Sequence, residues 1–395
     1  MTLIKMLIPI TALLSVMPWT LILKPRNSLL LVFIFSLLTF WACLKPDPEP
    51  LPPVECETGY HTCGEDSQEC CLDTSAHGFD WELHLIGGNL SHFMDVWIEN
   101  ANDIWVVGDI HADSGLYNLA RWDGVDWTLT AIAPTGYVIR LNSIYKFSET
   151  DIWFTFGSLP VHYDGISYRL FTPADDQYPS NGGEKYDVWG RSSSDMYFAG
   201  GGGQVIHYDG TVFRSLWTGT TVDLREIHVS DDGEHIFFQG YHSRGYASVL
   251  LELYEGRFNT IYECETLLPE EGNYGKIYSS YLWGNTIYSS TKAGVWQYNY
   301  INKTHHLVPD EITQTGNLYT RTIVGNNAND YIMAGKSFEI IHYNGIDYNH
   351  NYQIKETVRD WLAQYGGDMK GNLAVFGGAI DVAGNNQGVV VIGRR

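Results

Sequence analysis

Five basic side chains recur at one place in a series of similar sequence segments, at or just before a short apolar run. They are Arg140, Lys185, Arg225, Arg321 and Arg359. Guanidinium and ammonium groups bind carboxylates, so a ring of these residues at a channel mouth would attract an anionic group, such as a carboxylate on a glycan or a peptide terminus. Alternatively, each cation pairs with an acid such as Asp187, Glu226 or Asp360, or covers an aromatic side chain.

Motifs that would indicate catalysis are missing from the chain. There is no G-x-S-x-G, no H-E-x-x-H and no P-loop, and "SDDGEHIF" at 230–237 lacks the spacing of a sialidase Asp-box. Three histidines, His162, His207 and His342, recur just before a turn. Equivalent positions in successive units lie far apart, so these histidines are not expected to share a metal ion. The sequence therefore predicts no catalytic residue, metal site or cofactor.

The N-terminal region contains a targeting signal. Residues 28–42, "SLLLVFIFSLLTFWA", form a 15-residue apolar run preceded by two basic residues. The run is short for a membrane-spanning helix and has the length of the apolar part of a secretion signal. We expect residues 1–42 to be a signal peptide, with translation starting at Met1 or at Met17.

The end of this signal contains a candidate lipidation site. Ala42 is followed by Cys43 and a Pro-rich polar stretch, which resembles a bacterial lipoprotein signal. The resemblance implies cleavage before Cys43, lipid on that residue, and an extended tether over residues 43–55. The alternatives are an ordinary secretory signal and an uncleaved membrane anchor.

A cysteine-rich neck is expected over residues 56–82. It contains Cys56, Cys63, Cys70 and Cys71. The segment has almost no apolar residues, so in an exported chain these cysteines predict disulfides. A bridge between adjacent Cys70 and Cys71 would be strained, which leaves two pairings open. Zinc binding is the competing interpretation, but the gaps are longer than those of zinc modules. Cys264 is left over as a free thiol.

Short β-rich pieces recur through the rest of the chain. Residues 184–217 contain four of them, "DVWG", "DMYFAG", "QVIHYD" and "VFRSLW", and Asp209-Gly210 predicts a two-residue type I′ turn between the last two. Polar residues that precede the second piece are separated by 39 to 51 residues; they are Asp103, Asp151, Asp195, Glu234, Asn285, Asp330 and Asn372. This period is typical of a β-propeller. The sequence predicts an all-β fold: a seven-bladed β-propeller of four-stranded antiparallel blades over 83–395.

Large aromatic side chains recur at matching places in these units. They include Trp97, Trp105, Trp122, Trp153, Tyr163, Trp189, Tyr208 and Tyr343. Because neighbouring blades pack face to face, we expect these rings to form the core between blades. The formal net charge of −22 disfavours nucleic acid as a partner, since a phosphate backbone must be met by basic residues.

The pattern of motifs resembles a family of bacterial surface lipoproteins. The resemblance rests on "CGEDSQECCLDTSAHGFDWELHLIGG" at 63–88, "NDIWVVG" at 102–108, "ARWDG" at 120–124 and the ending "VVVIGRR", and extends over 43–395. It implies export, a cysteine-rich neck and WD40/YVTN-like propeller repeats. Some members carry a glucosyltransferase label, which no motif in this chain supports.

Together these features predict a lipid-anchored monomer of the cell envelope, at the outer membrane or cell surface. Its function would be that of a non-catalytic binding or scaffold module for a glycan or protein ligand, because a rigid disc with variable loops suffices for binding. The alternative is a carbohydrate-active enzyme, similar to a polysaccharide lyase or glycosidase, whose site is formed by scattered residues.

Overall fold

The computed structural model describes residues 60–62, 70–72, 74–179, 183–265, 274–309, 322–335, 339–352, 363–382 and 385–395. These residues belong to one compact unit, Glu55–Arg395. The predicted signal peptide, the tether and Cys43 lie outside the described residues. Near the N-terminus of the unit, β1 (Tyr60–Thr62) pairs antiparallel with β2 (Cys70–Leu72).

The strands after β3 (Asp80–Ile86) follow in groups of four. Blade 1 contains β4 (His92–Asn100), β5 (Asp103–Ala112), β6 (Gly115–Trp122) and β7 (Trp127–Thr130). Blade 2 contains β8 (Leu141–Ser148), β9 (Asp151–Phe156), β10 (Leu159–Tyr163) and β11 (Tyr168–Leu170). Blade 3 contains β12 (Lys185–Ser192), β13 (Asp195–Gly200), β14 (Gln204–Tyr208) and β15 (Phe213–Leu216). Blade 4 contains β16 (Leu224–Val229), β17 (Ile236–Tyr241), β18 (Ser248–Tyr254) and β19 (Arg257–Cys264).

The remaining blades complete the circle. Blade 5 contains β20 (Ile277–Trp283), β21 (Thr286–Thr291), β22 (Gly294–Asn299) and β23 (Thr304–Pro309). Blade 6 contains β24 (Thr322–Asn327), β25 (Asp330–Ala334), β26 (Ile340–Tyr343) and β27 (Tyr348–Tyr352). Blade 7 contains β28 (Ala363–Lys370), β29 (Leu373–Val382) and β30 (Asn385–Arg394) together with β3. The described helical elements are α1 (Pro173–Asp176) and a single 3₁₀ turn (Gly201–Gly203). The predicted seven-bladed, four-stranded antiparallel propeller is confirmed.

Blade 7 is closed by a strand from the other end of the chain. β3 pairs antiparallel with β30, from Asp80 opposite Arg394 to Ile86 opposite Gly388. The sequence pattern around Asn372 did not indicate this exchange. The pairing joins segments about 300 residues apart, which removes the free edges that an open ring of blades would have.

Seven apolar clusters fill the spaces between neighbouring blades. One cluster lies at each contact, including that between blades 7 and 1. All eight predicted aromatic residues belong to these clusters, so their assignment to the core between blades is confirmed. Burial of the apolar blade faces that form these clusters is the main contribution to the association of the blades.

The turns between the third and fourth strands differ from the predicted type I′ turns. Tyr208 pairs with Phe213, so the loop contains four residues rather than two. Gly210 has φ of 85°, whereas Asp209 does not have a positive φ. The Asp209 Oδ1 atom instead accepts hydrogen bonds from the backbone N–H groups of Thr211 (3.0 Å) and Val212 (2.9 Å). The Asp-Gly pair therefore suits this turn because the aspartate side chain bonds to the turn backbone and the glycine adopts a positive φ. A type I′ turn would instead need a positive φ at both residues.

A repeated polar pair joins the second and third strands of a blade. His162 lies 2.8 Å from Asp151 and stacks on Trp153, and in blade 3 His207 lies 2.7 Å from Asp195. The corresponding pairs are Arg121 with Asp103 in blade 1, Glu252 with His235 in blade 4 and His342 with Asp330 in blade 6. The recurring histidines thus belong to the architecture of blades 2, 3 and 6.

Strand register corrects three of the repeat positions taken from the sequence. The residues equivalent to Asp151 are His235 in blade 4, Thr286 in blade 5 and Leu373 in blade 7, each one residue after the predicted Glu234, Asn285 and Asn372. The preceding turns shift the polar residue by one place, and a one-residue shift in a strand changes the face on which a side chain lies.

Candidate functional site: the central cavity

A cavity of about 310 Å³ lies at the centre of the propeller, where the first strands of all seven blades converge. We call it the central cavity. The polar side chains that line it include Asp95, Asn142, Asp187, Arg225, Glu226, His228 and Asp368. A concave site with a few convergent polar groups is the usual form of a ligand site on a rigid scaffold.

Four acids of the cavity wall form a belt that joins neighbouring blades. Each carboxylate accepts a hydrogen bond from a backbone N–H group in the first strand of the next blade. The bonds run from Ile98 to Asp368 (3.1 Å), from Ile144 to Asp95 (3.0 Å), from Ile227 to Asp187 (2.8 Å) and from Ser280 to Glu226 (2.8 Å). These acids are therefore engaged in closing the ring, which argues against a role in binding cations.

Two of these acids share a serine hydroxyl. The Ser143 Oγ atom lies 2.9 Å from Asp95 Oδ2 and 2.8 Å from Asp187 Oδ1, and it has only one hydrogen to donate. Burial raises the pKa of Asp187 to about 8, and the nearby Asp95 charge adds to this. Burial likewise raises the pKa of Asp95 to about 6, although its hydrogen bonds oppose the shift. Because the pKa of both carboxyls is raised, the Asp95–Ser143–Asp187 cluster retains an extra proton toward neutral pH.

Aromatic and cationic side chains alternate at one side of the cavity entrance. The Arg225 guanidinium lies between two rings, 4.3 Å from the Tyr186 centroid and 4.7 Å from that of Tyr241. The Lys276 ammonium lies 4.7 Å from the Tyr241 centroid and 5.6 Å from that of Tyr278. We call these five residues the entrance ladder. Four of the five line the cavity, whereas Lys276 is buried and donates to the backbone carbonyls of His242 (2.6 Å) and Gly245 (3.0 Å). Each cation is attracted to the faces of its neighbouring rings, which holds it in place.

Arg225 retains hydrogen-bonding capacity toward the cavity. Its Nε atom donates to the backbone carbonyl of Tyr241 (3.0 Å), and its Nη2 atom donates to Asp223 (3.3 Å). Its Nη1 atom has no partner among the described residues, and the side chain is 20% exposed. The guanidinium is thus oriented by two contacts and by two rings while one of its ends stays available to a ligand.

The other described members of the predicted cation ring occupy different positions. Lys185 is the first paired residue of β12 and is fully buried; it donates to the carbonyl of Gly183 (2.9 Å) and to Gln204. Burial lowers its pKa to about 8. Arg140 precedes β8 and forms an ion pair with Glu184. Neither side chain lines the central cavity.

Three of the five predicted cations are thus described, and Arg225 is the one among them that lines the cavity. Arg321 and Arg359 lie outside the described residues. Ligand binding by the predicted set stays a prediction. The register explains the divergence: Arg225 stands at the bulge after Leu224, whereas Lys185 is itself the residue paired with Gly200. A bulge turns the next side chain to the other face of the strand.

The sequence analysis missed four of the five ladder residues. Lys276 stands directly before β20 in "GKIYSS", the repeat position used to select the predicted cations, and the signal was overlooked because blade 5 is divergent. Tyr186 and Tyr278 occupy the same bulge position as Arg225. This equivalence becomes visible only when the first strands of the blades are aligned by their pairing with the second strands. Tyr241 ends a second strand and approaches the ladder only through the fold.

The predicted disulfides are only partly covered by the described residues. Cys70 and Cys71 lie in β2, while Cys56 and Cys63 lie outside the described residues. Cys264 is buried and forms no disulfide with a described residue, as expected for the cysteine left over. In the described ranges no group of three or more histidine, cysteine or acidic side chains is placed to bind a metal ion. Within the same ranges, no helix combines the length and apolar character needed to span a bilayer.

Comparison with known proteins supports the class of the fold. No family model and no curated protein matches this sequence. Among solved structures, YCF48 bound to a D1 peptide is similar with a TM-score of 0.57 and 13% identity over 82% of this chain and 99% of that chain. A chain of the mitotic checkpoint complex is similar with a TM-score of 0.54 and 11% identity over 89% of this chain and 97% of that chain.

A third similar structure is the β-propeller domain of Cps50 (Swd1) from Myceliophteria thermophila. It has a TM-score of 0.50 and 10% identity over 80% of this chain and 100% of that chain. At such low identities the likeness shows the fold alone: the chain is a β-propeller.

Proposed function

We propose that this protein is an exported, lipid-anchored propeller that acts as a non-catalytic binding module at the cell surface, and that it binds a peptide segment of a protein partner at the entrance of the central cavity. The observation that carries the proposal is the entrance ladder, in which Arg225 is held between Tyr186 and Tyr241 and one end of its guanidinium has no partner among the described residues. Aromatic and arginine side chains dominate the energetic centres of protein interfaces.

The chemistry of the ladder favours an anionic group on the ligand. The chain is acidic overall, with a formal net charge of −22, yet Arg225 lines this entrance, and the buried Lys276 lies beside the same Tyr241 ring. A guanidinium fork binds a carboxylate in a bidentate way, whether it comes from a peptide C-terminus or from an acidic side chain. The structural similarity to YCF48, which is bound to a D1 peptide in its solved structure, supports a peptide as the ligand.

Replacing Arg225 with alanine is expected to weaken peptide binding at least tenfold, because the charge-assisted hydrogen bonds to the carboxylate are lost. Binding would be measured on an array of acidic peptides and of their amidated counterparts. Arg214→Ala is the control, since Arg214 pairs with Asp209 at a turn on the opposite face. Equal binding by the Arg225→Ala and wild-type proteins would contradict the proposal.

The same experiment separates the alternatives. Selective retention of oligosaccharides that contain uronic acids, without peptide binding, would show that a glycan carries the carboxylate. Release of shortened products from such polysaccharides would instead support the carbohydrate-active enzyme. The binding module is supported by retention without turnover.

The anchoring half of the proposal depends on Cys43. Cys43→Ser is expected to release the protein from the membrane fraction into the medium or periplasm of the native host, since no lipid would be attached to the chain. Fractionation with antibody detection measures this, and Cys264→Ser, which changes a buried thiol of the propeller, is the control. Unchanged membrane association of the Cys43→Ser protein would indicate an uncleaved N-terminal anchor.

A further inference from the structure

A second concave surface lies between blades 5 and 6, away from the central cavity. It is a groove of about 570 Å³, which falls within the usual range for small-ligand sites. We call it the blade 5–6 groove. Its main side chains are Tyr288, Gln297 and His306 from blade 5 and Tyr343, Asp347 and Tyr348 from blade 6.

The three residues from blade 5 form a row across neighbouring strands. Tyr288 pairs with Gln297, and Gln297 pairs with His306, so the three side chains lie on the same face of the sheet. Tyr288 is almost fully buried, Gln297 is half-buried and His306 is exposed. The row therefore runs from the floor of the groove to its rim.

In five other blades the central position of this row is used for structure. Blade 3 is the closest match, since Tyr197, His207 and Arg214 occupy the three positions. There His207 stacks on Tyr197 at 4.4 Å between ring centroids and bonds to Asp195. Equivalent pairs hold the third strand in blades 1, 2, 4 and 6.

Blade 5 keeps the row but lacks the polar pair. Gln297 replaces the histidine, and Thr286 replaces Asp195. Among the described residues the Tyr288 hydroxyl, the Gln297 amide and the His306 ring have no hydrogen-bond partner. The Gln297 amide and the His306 ring thus face the groove without a described protein partner, and Tyr288, whose ring stacks on Tyr281 (4.8 Å between centroids), has its hydroxyl left without one.

We propose that the blade 5–6 groove binds a neutral saccharide. Sugar hydroxyls both donate and accept hydrogen bonds, which suits an amide, an imidazole and a phenol in a row. The paired rings of Tyr343 and Tyr348, 4.6 Å apart between centroids, offer an apolar surface for the C–H face of a sugar ring. Among the described residues, the groove lining contains no lysine or arginine, and Asp347 is its one acid, so an anionic ligand is disfavoured.

The test is binding of the full exported chain to an immobilised panel of neutral oligosaccharides built from glucose, galactose, mannose and N-acetylglucosamine. Gln297→Ala and His306→Ala are each expected to weaken retention about tenfold, the effect of a lost hydrogen bond to a buried ligand group. His305→Ala is the matched control: His305 pairs with Tyr298, so it lies on the opposite face of the same strand. It is expected to leave binding unchanged.

A second variant, designed to add a structural hydrogen bond to blade 5, distinguishes loss of the binding site from loss of folding. Thr286→Asp combined with Gln297→His copies the blade 3 pair, so it should abolish saccharide binding while the melting temperature stays the same or rises. Retention by this double variant would overturn the proposal, as would binding confined to peptides or to anionic glycans, or the absence of any retained neutral glycan. Arg225→Ala should not alter this binding, so failure here is distinguishable from failure of the proposed central site.

Discussion

Arg395→Ala is expected to lower the free energy of unfolding by about 3–5 kcal/mol, the range found when one partner of a buried ion pair is removed. Arg395 and Asp330 form a salt bridge in which the side chains are only 9% and 7% exposed. The same carboxylate accepts hydrogen bonds from Ser75 (2.9 Å) and Asn326 (2.7 Å), and His342 lies 2.8 Å away. Removal of the arginine leaves a buried carboxylate without its main counter-charge.

This cluster also joins three distant parts of the chain. Ser75 precedes the closing strand β3, Asp330 begins the second strand of blade 6, and Arg395 follows β30. Burial alone would raise the pKa of Asp330, but the bonds from His342, Arg395 and Asn326 hold it well below its ordinary value. The ion pair thus reinforces the closure of the propeller as well as the local packing.

Urea unfolding, followed by tryptophan fluorescence, measures the effect. Arg394→Ala is a matched control, because Arg394 pairs with the exposed Glu82 (34% and 59% exposed side chains) and a pair of that kind contributes about 0–1 kcal/mol. A loss for Arg395→Ala no larger than that for Arg394→Ala would show that the cluster adds nothing to closure. The double variant Arg395→Ala/Asp330→Ala should be less destabilised than the sum of the single variants.

The second large effect is a loss of stability with rising pH. Folding raises the pKa of Asp187 to about 8 and that of Asp95 to about 6, both chiefly through burial. An acid whose pKa is raised in the folded state stabilises the fold fully below its unfolded pKa, near 4, and this contribution disappears as the pH passes through the folded value. Between pH 5 and pH 9 we expect a loss on the order of 4 kcal/mol, mostly from Asp187.

Asp187→Asn should flatten this dependence, since an amide does not titrate. The variant can still accept from Ile227 and donate to Ser143, but it loses the bond from the Val188 N–H group (2.8 Å), so a modest loss at pH 5 is expected. Asp330 does not contribute to this window, because its lowered pKa acts only below about pH 4.

Unfolding curves at pH 5, 7 and 9 measure both proteins. Asp164→Asn, a change in an exposed turn, is the control and should keep the wild-type slope. A wild-type protein whose stability is constant from pH 5 to pH 9 would show that the Asp95–Ser143–Asp187 cluster does not hold an extra proton.

The architecture was predictable because it is repeated. A propeller blade is a local unit of four consecutive strands, so its period, turns and aromatic core residues appear in the order of the chain. Trp153 and Tyr208 illustrate this: each was assigned to the core from its repeat position, and each lies between blades 2 and 3. The predicted type I′ turn at Asp209-Gly210 was wrong, because the Asp-Gly dipeptide occurs both in two-residue loops and in the four-residue loop found here.

The candidate sites were less predictable, because strand register decides on which face a side chain lies. Arg225 and Lys185 occupy similar places in the sequence, yet one lines the central cavity and the other is buried in its blade. A bulge of one residue separates the two outcomes, and no composition or spacing argument resolves a shift that small. A separate one-residue shift, at the turn between the first and second strands, places Thr286 instead of Asn285 at the polar repeat position of blade 5.

By itself the sequence determined the class of the fold: an acidic, aromatic-rich, four-stranded repeat that fits seven blades. Only the tertiary structure decided which residues meet. Closure of β3 on β30, the ion pair of Arg395 with Asp330 and the ladder at the cavity entrance all join residues from distant parts of the chain. Such contacts depend on the curvature and register of the whole ring, whereas a repeat pattern carries information about one blade at a time.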